Sequence, residues 1–329
     1  MNNLKKIGLS ALAGSLVAIS ANAAELSVSG SVEVTYTDTG GTVGNEITGN
    51  SFGAKSDMTF TGSGDVGFGT VTMNRALSDA GAITTSYQTL DMGDMGTLSF
   101  DSTAGALVGI TANDDKMPTA YEEVWTGVSG DGIGGVGSTN VIGYTNTFSG
   151  VSISAGYTNG EGAAQTTESS SSGAGAHGST RDIYLSMSPI DGLTIGAGQA
   201  VNSSTDLGTQ STDTVESIAN IVYTAGPVAA GYTVKESEDG TSGAASHGIT
   251  GWSVAFNVND NFAISYGELE NEQKATSTAV AVTEDVTGLS AAYTMGAASV
   301  RFNHSESSND GHVATVDDET TEISLALSF

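Results

Sequence analysis

Carboxylates crowd the one stretch of this chain that lacks a pattern. Residues 101–138 read DSTAGALVGITANDDKMPTAYEEVWTGVSGDGIGGVGS, with Asp114, Asp115, Glu122, Glu123 and Asp131 beyond Asp101, one Lys and one Trp. A segment of that length without strand pattern inside a compact β protein is functional or disordered. Acids set opposite cations across a watery passage make a transverse field, which orients dipolar solutes and penalises apolar ones. The cations that could stand opposite are Lys55, Lys235 and Arg301, each on the polar face of its strand by parity. Arg75 is included with them, although it shares parity with Val71 and Met73 and turns inward only if a bulge intervenes. The plainer reading is that Asp114-Asp115 merely solvates a loop tip.

Other groups carry weaker chemistry. Glu236, Glu238 and Asp239, and Asp310, Asp317 and Asp318, fall in polar loops. Such carboxylates hold Ca²⁺, or serve only as a solvated acidic rim. No other cofactor is expected. The run Gly130–Gly137 has the flavour of a Ca²⁺-binding repeat, but it is a single copy, and such repeats come in arrays. His304 beside Ser305 lacks an acidic orienter and a Gly-flanked Ser nucleophile. Four His, no Cys and no ligand spacing leave no metal site. The chain is not expected to be an enzyme.

The elements that must position these groups are strands. Leu26, Val28, Gly30, Val32, Val34 and Tyr36 alternate with Ser27, Ser29, Ser31, Glu33, Thr35 and Thr37, a period of two over about a dozen residues. Further hairpins repeat the pattern, such as Trp252, Val254, Phe256 and Val258 turning into Phe262, Ile264 and Tyr266. Near Val71–Ala76 and Ile83–Leu90 the alternation is poor. Turns of about two to five residues, one of them drawn through Pro189 to Gly192, alternate with longer polar loops, and the whole makes sixteen strands. Phe148, Tyr223, Phe256, Tyr293 and Phe329 lie beside short turns, and Tyr36, Phe52, Tyr157 and Tyr266 beside long loops. Two aromatic rows at the ends of an apolar band are membrane-interface girdles. The reading is all-β: a 16-stranded antiparallel transmembrane β-barrel, its polar face enclosing water, with the patternless segment folded inward as a third loop.

The first residues and the charge agree with that address. Lys5 and Lys6, the apolar run Ile7–Ser20 and Ala21-Asn22-Ala23 form a cleavable secretory signal over residues 1–23, leaving one domain at 24–329. Removing it takes the net charge from −28 to −30, which excludes nucleic acid as a partner.

Together with the signal and the sixteen strands, the run Met92-Gly93-Asp94-Met95-Gly96-Thr97-Leu98-Ser99-Phe100, the acidic stretch after it and the closing Ile323-Ser-Leu-Ala-Leu-Ser-Phe329 resemble the general porins of Gram-negative bacteria. The resemblance implies an outer-membrane diffusion channel for small hydrophilic solutes and ions. It also implies a homotrimer among outer-membrane lipids, folded by the barrel-assembly machinery. Asp114, Asp115, Glu122 and Glu123 would then be the acidic half of the constriction, and Lys55, Arg75, Lys235 and Arg301 its basic wall. The charge balance favours cations. Two alternatives are a substrate-selective nutrient channel of the same fold and an adhesive or structural barrel with acidic loops. The short second loop, Asp79 to Ala82, departs from the family pattern and weakens the trimer expectation.

Overall fold

The computed structural model describes the chain except residues 1–24, 43–48, 104, 106, 129–132, 138, 160–176, 206–211, 241–244 and 277–279. The proposed signal peptide, Asp131 and part of the Gly130–Gly137 run therefore lie outside the described residues.

Sixteen strands follow one another in chain order. The first four are β1 (Glu25–Gly41), β2 (Phe52–Asp65), β3 (Thr70–Ser78) and β4 (Ile83–Asp91). Then come β5 (Thr97–Thr103), β6 (Val141–Phe148), β7 (Val151–Asn159) and β8 (His177–Ile190). After them lie β9 (Leu193–Thr205), β10 (Thr212–Ala225), β11 (Val228–Asp239) and β12 (His247–Asn259). The last are β13 (Phe262–Gln273), β14 (Val282–Met295), β15 (Ala298–Ser308) and β16 (Asp317–Ser328). Each strand pairs antiparallel with its sequence neighbours, and β1 pairs with β16, so the sheet closes. Closure leaves no edge with unpaired backbone groups, the condition for crossing lipid with strands. Phe329 and Gly30 exchange both backbone hydrogen bonds, at 2.9 and 3.0 Å, and the Phe329 ring fills the space a Cβ on Gly30 would need.

Burial is inverted relative to a water-soluble protein. Leu26, Val34, Ile221, Val254, Leu289 and Leu325 face outward and are exposed, while Ser253, Ser265, Ser290 and Asn303 are buried inside. Tyr36, Phe52, Tyr157 and Tyr266 lie outward near the long connections, and Phe148, Tyr223, Tyr293 and Phe329 near the short ones. An apolar outer band with an aromatic row at each end fits a bilayer and nothing else in a cell.

Three local departures have physical causes. β4 loses the period of two where the shift at Ala76/Leu77 leaves its Thr84 without a partner in the ladder. The shift at Ser86/Tyr87 puts its extra residue, Ser102, on β5, and β3 itself alternates in burial from Val71 to Ala76. Pro189 lies within β8 rather than in the turn. The shift between Met187 and Ile190 takes it out of the ladder, where its missing N–H costs no bond. Glu236, Glu238 and Asp239 end β11, and Asp317 and Asp318 begin β16, so of the acids assigned to loops only Asp310 lies in one.

Candidate functional site

The segment between β5 and β6 is fastened to the inner wall strand by strand. At its start the Gly109 N–H donates to Ser154 on β7 at 2.8 Å, and the Ile110 N–H to Asp182 on β8 at 2.7 Å. Asn220 on β10 donates to the Asn113 carbonyl. Ser253 on β12 donates to the Pro118 carbonyl at 2.7 Å, and Ser265 on β13 accepts from the Ala120 N–H at 2.8 Å. Ser290 on β14 accepts from Tyr121, and Thr320 on β16 donates to the Gly127 carbonyl at 2.7 Å. The chain then doubles back. Gly134 and Gly135 donate to Glu216 on β10, and Val136 to Asp182 again. Asp182 and Glu216 thus satisfy backbone donors that no strand pairs, which is the requirement for burying irregular chain.

Packing completes the attachment. Ile218, Ile249, Leu269 and Val286 interrupt the polar inner face and meet Ile110, Met117, Val124 and Ile133 of the segment in one buried cluster with Tyr184. Glycines clear the path. A Cβ on Gly231 would lie 2.5 Å from Pro118, on Gly267 2.7 Å from Val124, and on Gly288 2.6 Å from the Val124 backbone. Glycine inside a strand marks such a close approach of another backbone. Asp182, Glu216, the four apolar wall residues and the glycines were not singled out from sequence. The signal was there, as single Ile, Leu, Val, Asp or Gly positions on a parity otherwise held by Ser, Thr and Asn.

Of the four candidate acids, Asp115 and Glu123 adjoin, and Glu122 lies within reach of the Glu123 charge. Burial, and then the negative charge of Glu123, push the Asp115 carboxyl up to about 7. Burial, with Glu123 and Glu322 nearby, also raises Glu122. Thr126 donates to Glu123 at 3.2 Å and to Glu122 at 3.4 Å, and Asp114 accepts the Asp115 N–H at 3.0 Å. Tyr121 donates to Glu322 at 2.9 Å and reaches Glu33 on β1 at 3.4 Å.

The four cations divide three ways. Lys55 and Arg301 face inward and share one acceptor: Lys55 Nζ lies 3.0 Å from Glu33, and an Arg301 nitrogen 3.3 Å from it. The Arg301 guanidinium also stacks over Tyr121, 4.9 Å from the ring centre. Lys235 faces inward too but is only 1% exposed, flanked by Ile218 and Ile249, with Nζ 5.0 Å from the Trp125 ring centre. It lies beneath the segment, not on open wall. Arg75 is a correction. It pairs with Phe60 and keeps step with exposed Val71 and Met73, so it points outward. The irregularity in the β3–β4 pairing lies beyond it, between Ala76 and Leu77, and its extra residue, Thr84, is on β4, so it does not turn Arg75. Glu33, the acid that ties two cations, was read from sequence only as part of a polar face.

Taken together, a closed barrel with an apolar exterior, a polar interior and an ionised inner wall defines a transmembrane β-barrel channel. The chain belongs to the Gram-negative porin family, whose model matches residues 8–329. It is an outer-membrane porin, and family and fold point to a channel rather than an enzyme. No curated protein matches the chain by sequence. Among solved structures it is similar to an anion-selective porin of Comamonas acidovorans at 15% identity, over 93% of this chain and 100% of that one, with a TM-score of 0.64. OmpF of Salmonella typhi in complex with daunomycin shares 12% identity over 92% and 97% of the two chains, with a TM-score of 0.66. A trimer form of OmpT, an outer membrane protein of Vibrio cholerae, shares 12% over 93% and 99%, with a TM-score of 0.65.

Proposed function

We propose that this porin is a diffusion channel for small hydrophilic solutes and ions that prefers cations, with residues 101–138 as its constriction. The observation that carries this reading is the uneven fate of the charges. Asp114, Asp115, Glu122 and Glu123 all sit on the segment that crosses the inner wall. Of the four candidate cations, Arg75 faces outward and Lys235 is covered, while Lys55 and Arg301 are offset by two carboxylates, Glu33, which pairs with both, and Asp57, whose charge acts on Lys55. The field at the narrowing is then acidic on one bank and close to neutral on the other, which concentrates cations there. Identity of 15% to the Comamonas porin carries fold alone, so selectivity must come from these side chains.

The same reading includes a homotrimer, for which the Vibrio trimer form is the support, and a signal peptide removed after export. The test is the reversal potential of single channels in a planar bilayer under a salt gradient. It is repeated with Asp114, Asp115, Glu122 and Glu123 changed to Asn or Gln. Cation preference that weakens in the variant is expected, with conductance steps in threes. A folded barrel without conductance would remove the channel reading. Conductance and selectivity indifferent to all four changes would place the constriction elsewhere.

A further inference from the structure

Two histidines far apart in sequence meet at the loop end of the barrel. His247 opens β12 on the inward parity, and its ring centre lies 4.9 Å from that of His312, edge to face. His312 belongs to the single helical turn Asp310–His312 in the β15–β16 connection. That connection is held against inward-facing groups. The Gly311 N–H donates to Glu284 on β14 at 3.4 Å, and Ser307 on β15 donates to Asp310 at 2.8 Å. The chain bends sharply to get there, since Asn309, His312 and Thr315 all have φ between 56° and 71°. For Thr, a β-branched residue, that is an outlier which only surrounding contacts can maintain.

We propose that the His247–His312 contact is an acid-released fastening that holds residues 309–316 against the inner wall at the mouth of the barrel. Two neutral imidazoles pack edge to face, whereas two imidazolium rings at this distance repel. The Nε2 of His312 is buried with no hydrogen-bond partner, so a proton added there gains no acceptor and loses water. His247 Nδ1 is 3.3 Å from Asn271 on β13, which fixes its ring against His312. The carboxylates that face the pair are Asp310 on the connection itself, Glu284 on β14 and, level with Ser307, Asp318 on β16.

A hydrogen bond to the Asn271 backbone and the charge of Asp310 favour the proton, but burial and the neighbouring His247 outweigh them and hold His312 below the ordinary histidine range. The neutral form therefore belongs to the fastened state. Above the ordinary pKa nothing is lost. As pH falls through that value and then through the lowered one, the released state takes up the proton preferentially. The fastening is a property of the fold, and it holds whether or not the acidic segment sets selectivity.

The chain has no Cys, so Val313→Cys gives one labelling position, on an exposed side chain beside His312. The mobility of a spin label there, in purified barrel, is read from pH 7.5 down to pH 5. An immobile label that becomes several-fold more mobile below the ordinary histidine range is expected. His247→Gln and His312→Gln, each in the labelled chain, should abolish the transition. Mobility constant over the range would overturn the proposal. So would the same transition in the doubly substituted chain, which would assign it to the carboxylates. Constant mobility in the labelled chain with both histidines intact overturns the proposal even if a substituted barrel fails to fold.

Discussion

Under the segment, the inner wall of β11–β14 offers Gly231, Gly267 and Gly288, with Ile249, Leu269 and Val286 between Ser253, Ser265 and Ser290. On β1, β2 and β15 the same inner parity offers Glu33, Lys55 and Arg301. Both are the polar face of an amphipathic barrel, yet one is shaped to receive backbone and the other to present charge. Parity decides which face is wet, and only the local residue choice decides what touches it. A wall that must dock irregular chain needs depressions, apolar spots and hydrogen-bond partners. A wall that meets water needs none of these and can keep its ions.

The comparison breaks hardest at a glycine. In Gly288→Val the new side chain would meet the Val124 backbone, which cannot swing aside as a side chain would. Overpacking of this kind costs about 1–3 kcal/mol, and here the cost falls on the docked segment rather than on the barrel. Val is a good strand former, so the barrel itself should persist, checked by heat-modifiable mobility on a gel. Single-channel conductance is expected to rise roughly twofold or more as the segment leaves the wall. Unchanged conductance in a folded Gly288→Val barrel would mean that the segment does not narrow the passage.

How much of this was legible before the fold was known follows the same division. The barrel, its sixteen strands and its girdles were readable because alternation over about ten residues leaves one solution for lipid and water. The acids Asp114, Asp115, Glu122 and Glu123 were readable because they break the pattern. The docking wall was not. Asp182 acts by accepting the N–H groups of Ile110 and Val136, and no spacing in the chain announces a contact across that separation. Lys235 had the correct parity, but whether it meets water depends on what Trp125 covers. Glu33 was one residue of an alternating strand until register set it level with Lys55.

A second, intermediate effect sharpens the acidic side. Asp115 sits at about 7 because burial, then Glu123, disfavour its charge. Its folded value lies above the unfolded one of about 3.9, so ionising it costs stability, a cost absent well below pH 4 and full above about pH 7. Charge on the segment therefore grows as pH rises through 7. The cation-to-anion permeability ratio should fall when pH is lowered from about 8 to about 6, and Asp115→Asn should flatten that part of the curve. A ratio that holds steady between those pH values in the unsubstituted channel would show that Asp115 does not govern the permeating ions.

The smallest effect lies on the opposite bank, where the two possible substitutions should differ. Lys55 is 66% exposed on its side chain, while Glu33 is only 7% exposed and serves two cations. An ion pair that exposed is worth about 0–1 kcal/mol, so Lys55→Met should hardly change stability and should shift selectivity slightly further toward cations. Glu33→Gln removes the shared carboxylate, so it should shift the reversal potential toward anions. Both shifts should shrink between about 0.1 M and about 1 M salt, because the Debye length falls from about 10 Å to about 3 Å. If Lys55→Met shifts selectivity more than Glu33→Gln does, Lys55 is a free charge in the passage. The ionic bank would then be positive rather than balanced.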